Sequence, residues 1–207
     1  IFVEWDQPAI PNGDIDQYRI FLNAGTSSET EIGVGLLREY LVDGLKPYTE
    51  YSVRIMACLY SVLNGCGTGP AVQVRTLEAT PEEQEVPMLE AKGPTSIQIT
   101  WKPPKKPNGV ITGYRLYRKP AGSTSSGLLI NVLDSEKYTY LDVGSELRSY
   151  TEYEYKVSSY NSQGFAASDW KKVRTLEAPP QVMKPPTITA IGAFSISIKW
   201  EPPLSAN

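Results

Sequence analysis

The chain has 207 residues, a formal net charge of −3 and a pI near 5.2, which leaves room for one large domain or two small ones at about 100 to 150 residues each. That mild acidity argues against a nucleic-acid binder, which carries a basic excess. No apolar run approaches the roughly 18 residues of a membrane span, so no direct membrane insertion is expected, and Ile1 opens no signal peptide. Histidine is absent, which removes the usual general base, the Ser-His and Cys-His nucleophile pairs and every imidazole zinc site, so no catalytic residue, metal or cofactor is expected.

In chain order, Ile1-Phe2-Val3-Glu4-Trp5 opens abruptly and Pro11-Asn12-Gly13 turns the chain. Asp43-Gly44 is a second turn signal. Tyr51 to Ala57 then alternates, with Tyr51, Val53, Ile55 and Ala57 on one face of a half-buried strand. The rhythm returns in Ser96 to Trp101 and in Ser195 to Trp200, with turns at Pro107-Asn108-Gly109 and from Ser123 to Gly127. No stretch holds a helical period over ten residues. Thirteen tyrosines against four phenylalanines fit strands with one wet end.

The chain repeats itself. Trp5, Pro8, Asn12-Gly13, Ile15 and Tyr18 recur without a gap as Trp101, Pro104, Asn108-Gly109, Ile111 and Tyr114. Tyr48-Thr49-Glu50-Tyr51 recurs as Tyr150-Thr151-Glu152-Tyr153, and Arg75-Thr76-Leu77-Glu78-Ala79 as Arg174-Thr175-Leu176-Glu177-Ala178. The offsets of 96, 102 and 99 residues set a period of one small domain. Trp200-Glu201-Pro202-Pro203 begins a third copy. The expected division is therefore 1–79, a domain lacking its first strand; 80–178, a complete domain; and 179–207, the first two strands of a third, as in a segment of a longer array. Short strands and frequent turns in a unit of this size predict an all-β architecture of tandem antiparallel β-sandwiches, seven strands in the complete unit.

These residues resemble the fibronectin type III family, whose immunoglobulin-like sandwich carries a Trp on the second strand, a Tyr thirteen residues on, and Leu-x-Pro-x-Thr-x-Tyr-x-Val-x-Ile-x-Ala near the sixth. The first copy has Leu45, Pro47, Thr49, Tyr51, Val53, Ile55 and Ala57; the second keeps Leu147, Thr151, Tyr153 and Val157 but has Ser149, Tyr155 and Ser159 at the other places. The resemblance implies that Tyr51 and Tyr153 form tyrosine corners. It places Trp5, Tyr18, Leu45, Tyr51, Trp101, Tyr114, Leu147, Tyr153 and Trp200 in the structural core. With its Ala57-Cys58 and Gly65-Cys66 hairpin, the chain looks like the repeats of a large sensory-cell ectodomain. That likeness implies an extracellular adhesion and spacer role, with loops offered to matrix or cell-surface proteins and neighbouring domains of the same type as partners.

Cys58 and Cys66 are the only cysteines. They flank one hairpin loop on facing strands, within disulfide reach, where a bridge would contribute about 2 to 3 kcal/mol on the loop-entropy model. The alternation after Ala57 points Cys58 away from the main core. Two free thiols in a cytosolic protein are the other reading, and two cysteines without histidine make a poor metal site. Lys102, Lys105 and Lys106, with Arg115, Arg118 and Lys119 on the next strand, form either a patch for acidic groups or a solvated loop and wet strand face, and the latter is expected. Glu82-Glu83-Gln84-Glu85 and the proline-rich run from 179 to 186 are junctions too short for loose tethers. Glu50 and Glu152 read as wet-face positions. Two further classes compete: an intracellular cytoskeletal spacer array, favoured by reduced cysteines, and an accessory linker of a secreted glycoside hydrolase.

Overall fold

A computed structural model describes residues 1–180 and 182–203; position 181 of the second junction and the end of the expected third repeat, 204–207, lie outside the described residues. The described elements are all strands, without a helix. Two compact units divide the chain, the first from Ile1 to Ala79 with Asn108–Val110, the second comprising the remainder.

In the first unit, β1 (Phe2–Glu4) pairs with β4 (Glu39–Leu41), Val3 facing Tyr40. The opposing sheet runs β3 (Thr30–Gly35), β2 (Gln17–Leu22), β5 (Glu50–Cys58), β6 (Cys66–Thr68), and β7 (Val72–Arg75) pairs with the start of β5. Period-two side chains from both sheets meet in one core, where Tyr18, Ile20, Leu22, Val34, Val42, Tyr51 and Val53 are buried, with Trp5 and Leu45 packed against them. Trp5 meets Tyr18 edge to face at 5.8 Å.

The second unit repeats this plan with one strand more in its sandwich, followed by a separate final pair. Here β8 (Met88–Gly93), β9 (Ser96–Thr100) and β12 (Thr139–Val143) form one sheet, with β9 in the middle. The other sheet runs β11 (Leu128–Asp134), β10 (Gly113–Pro120), β13 (Glu152–Asn161), β14 (Gly164–Ala167), and β15 (Lys171–Arg174) pairs with β13. Ile97, Ile99, Trp101, Tyr114, Leu116, Leu147, Tyr153, Tyr155 and Val157 make its core. Each such side chain contributes about 1.5 to 3 kcal/mol by leaving water. Trp101 and Tyr114 reproduce the edge-to-face pair at 5.6 Å.

β1 is paired on one side, whereas its counterpart β9 is paired on both. An open cleft of about 960 Å³, lined by Ile1, Val3, Trp5, Ile15, Val53 and Val74 among others, borders β1. The last pair, β16 (Thr187–Gly192) and β17 (Ser195–Lys199), is exposed along nearly its whole length. Trp200 departs from the expected core set. It is 70% exposed, because the described part of that repeat is a single two-stranded sheet with no second layer to cover the indole.

Candidate interaction surfaces

β5 ends at Cys58, the chain turns through residues 59–65, and β6 returns from Cys66. Cys58 and Cys66 are direct register partners and are joined by a disulfide across a Cα–Cα separation of 4.0 Å. Inside that bridge the Leu59 N–H donates to the Gly65 carbonyl at 2.8 Å. Gly65 has no room for a side chain, since a Cβ would run into the carbonyl oxygens of Leu59 and Val62. Tyr60 pins the outer side of the loop. Its N–H donates to Asp16 Oδ2 at 2.6 Å, its hydroxyl donates to Gln17, and Arg19 Nη2 donates to the same hydroxyl at 3.2 Å. The fixed tip leaves Leu63 93% exposed, beside exposed Val62. A rigid apolar tip loses little conformational freedom when it meets a partner.

Cys58 lies outside the main core cluster, on the face opposite Ala57. It is nonetheless fully buried, with register partners Gln17 on β2 and Cys66 on β6. In the second repeat the equivalent partners across the hairpin are Tyr160 and Phe165, whose rings lie 5.4 Å apart. The guanidinium of Arg115 caps Tyr160 at 4.2 Å. One repeat closes its hairpin covalently and the other with stacked rings.

Both tyrosine corners have the same geometry. The Tyr51 hydroxyl accepts the Lys46 N–H at 2.9 Å, and the Tyr153 hydroxyl accepts the Arg148 N–H at 2.8 Å. Ser149 in place of proline leaves the turn unchanged: Tyr48 and Tyr150 both have φ near +46°, and Thr49 and Thr151 both donate to the carbonyl two residues back at 2.8 Å. Glu50 and Glu152 lie on the wet side, paired with Arg75 at 2.6 Å and Arg174 at 3.0 Å.

The basic loop and the acidic junction read separately in the sequence prove to be one feature. Lys105 reaches Glu85 at 2.8 Å, and Lys106 reaches Glu83 at 2.6 Å and Glu82 at 3.3 Å, while Glu82 and Lys106 form an isolated β-bridge. Hydrogen bonds from these lysines hold the Glu83 and Glu85 carboxyls below their ordinary values.

Arg118 departs from the expectation that it shares the wet face with Arg115 and Lys119: alternation along β10 turns it inward between Tyr117 and Lys119. There Arg118 Nη1 donates to Asp142 Oδ2 at 2.8 Å, and the Tyr155 hydroxyl donates to the same oxygen at 2.8 Å. All three residues are buried. Burial opposes the Arg118 charge, but the Asp142 carboxylate outweighs it and holds the guanidinium above its ordinary value. Burial, reinforced by that carboxylate, pushes the Tyr155 phenol far up. The signal available in sequence was the even spacing of Leu116 and Arg118 on an alternating strand.

Two sheets of this order and pairing, tyrosine corners and Trp–Tyr core pairs define an immunoglobulin-like β-sandwich. The family profile described as "Fibronectin type III domain" matches residues 1–76 and 81–174, and the chain belongs to that family. It is similar to usherin of Homo sapiens, 39% identical over 209 residues, and to usherin of Rattus norvegicus, 38% identical over 208 residues; each alignment covers the whole chain and 4% of the relative. Neogenin of Homo sapiens is 33% identical over 221 residues, covering the whole chain and 14% of that protein. The chain thus spans a small fraction of the relatives it matches.

Proposed function

We propose that this chain is a non-catalytic, extracellular adhesion and spacer segment of a large receptor-like protein, divided at 1–79, 80–178 and 179–207, which presents its loops to other proteins. The observation that carries this reading is the Cys58–Cys66 bridge: it closes a short hairpin, and such bridges persist in oxidising compartments. Likeness to usherin over the whole chain supports it. The stapled loop with Leu63 at its tip supplies a fixed contact, and the tight junction between residues 80 and 107 of the second unit suits a spacer. Alkylation of unreduced protein from its native source, followed by peptide mass spectrometry across Cys58 and Cys66, tests it. A linked peptide pair is expected. Two alkylated thiols would instead favour the intracellular spacer.

A further inference from the structure

Alternation sends Arg115, Tyr117 and Lys119 of β10 and Lys156 and Tyr160 of β13 to the outer face of the second unit's larger sheet, where Trp170 joins them. Cations and rings interleave there. Arg115 lies 4.2 Å over Tyr160, Lys156 lies 5.0 Å from Tyr117 and 4.9 Å from Trp170, and Lys119 lies 4.6 Å from Trp170. Glu154 engages Lys119 at 3.2 Å and Lys172 at 3.8 Å. Among the described residues, Arg115 and Lys156 have no carboxylate partner.

The first unit shows what these positions accept. Arg19, Phe21 and Arg54 stand where Arg115, Tyr117 and Lys156 stand, and Arg54 lies 5.0 Å over Phe21. In that unit the chain supplies its own carboxylates: Glu31 meets Arg19 at 3.0 Å and Glu29 meets Arg54 at 3.2 Å. Glu31 is the register partner of Phe21, and Leu129 is the register partner of Tyr117, so an apolar side chain replaces one carboxylate. By the same register Gly127 replaces Glu29. The absence of a side chain there admits the Trp170 ring, since a Cβ on Gly127 would run into Trp170. Exposed Leu129, Val132 and Phe165 rim the resulting face.

We propose that this face docks an acidic segment of another protein, whose carboxylates meet Arg115 and Lys156 and whose apolar groups cover Leu129, Val132 and Phe165. Charge complementarity calls for an anion, and the apolar rim favours a protein over a sulfated polysaccharide, which has few apolar groups to offer. The proposal rests on the protein-contact reading above but not on the compartment, so the cysteine experiment can fail without touching it. The test is selection of a displayed random-peptide library on the whole chain, with binding of the recovered peptides compared in the Arg115→Glu/Lys156→Glu double variant. Recovered peptides rich in Asp and Glu with aromatic or aliphatic neighbours are expected. Their affinity should fall about tenfold or more in the double variant and weaken with added salt. The milder Arg115→Gln/Lys156→Gln pair should show an intermediate loss, and Lys137→Glu, at an exposed position between β11 and β12, should show none. Peptides without acidic bias, or equal binding to the double variant at unchanged melting temperature, would overturn the proposal. So would retention on heparin that depends on Arg115 and Lys156 while no acidic peptide is recovered, which would assign the face to a polyanionic glycan.

Discussion

Leu22, Val42 and Val53 of the first repeat and Arg118, Asp142 and Tyr155 of the second occupy the same three inward places. Register proves the equivalence: Glu39 faces Glu4 as Thr139 faces Thr100, which aligns Val42 with Asp142, while the offsets of 96 and 102 residues align the other two. The apolar trio stabilises by burial alone. The ionic trio must offset the desolvation of two charges, and does so only when each member has its partners. The same fold thus tolerates either interior, but the second becomes intolerant of losing one member. The hairpins differ in parallel fashion, a disulfide in the first and the Tyr160–Phe165 stack in the second.

The sharpest way to break this comparison is Asp142→Ala, which strands the Arg118 guanidinium in the core. The second unit should lose about 3 to 5 kcal/mol, read as lost amide protection in β10 and β13 by hydrogen exchange, while Val42→Ala in the first costs less because no charge is orphaned. The matching repair, Arg118→Leu with Asp142→Val and Tyr155→Phe, should return stability to near the parent value or above it. Next in size is the staple. Cys58→Ser with Cys66→Ser should cost the first unit about 2 to 3 kcal/mol, and added reductant should lower the denaturation midpoint of the first unit and leave that of the second unchanged. Smaller again, Tyr51→Phe or Tyr153→Phe removes one corner hydrogen bond and should cost about 1 kcal/mol in either repeat, so equal losses by chemical denaturation would show that the corners, unlike the interiors, are interchangeable.

Burial pushes the Tyr114 phenol from 10.0 up to about 12 and the Tyr155 phenol higher still. In the unfolded chain these groups ionise near pH 10, whereas in the folded chain they keep their protons. Their contribution is therefore fully present below pH 10 and is lost as pH rises toward 12 and beyond. An alkaline titration followed by hydrogen exchange should show the second unit loosening over that window, less steeply once Tyr155 is replaced by Phe.

Much of the fold could be read from the chain because its information is periodic. Tyr51, Val53, Ile55 and Ala57 alternate, and motifs recurring at offsets of 96 to 102 residues mark the repeat. The interior charges were harder to read: alternation puts Leu116 and Arg118 on one face of β10, but a cation on a strand is ordinarily on the wet side, and the Asp142 and Tyr155 that make its burial tolerable arrive from other strands. The burial of Cys58 was illegible for a related reason: alternation correctly gives its face, away from the main core, but burial on that face depends on Gln17 and Cys66, which arrive from other strands. The pairing of Lys105 and Lys106 with Glu82 to Glu85 likewise depends on a loop and a junction meeting in space. At Trp200 the side-chain pattern was sound, yet a core position is buried only where a second sheet lies over it.

The central claim, that these domains work outside the cell, is tested most directly on intact cells that make the parent protein. A membrane-impermeant amine-reactive label should modify exposed lysines such as Lys184, half of whose side chain is exposed, without permeabilisation, and mass spectrometry would locate the label. Labelling that appears only after the membrane is opened would contradict the account.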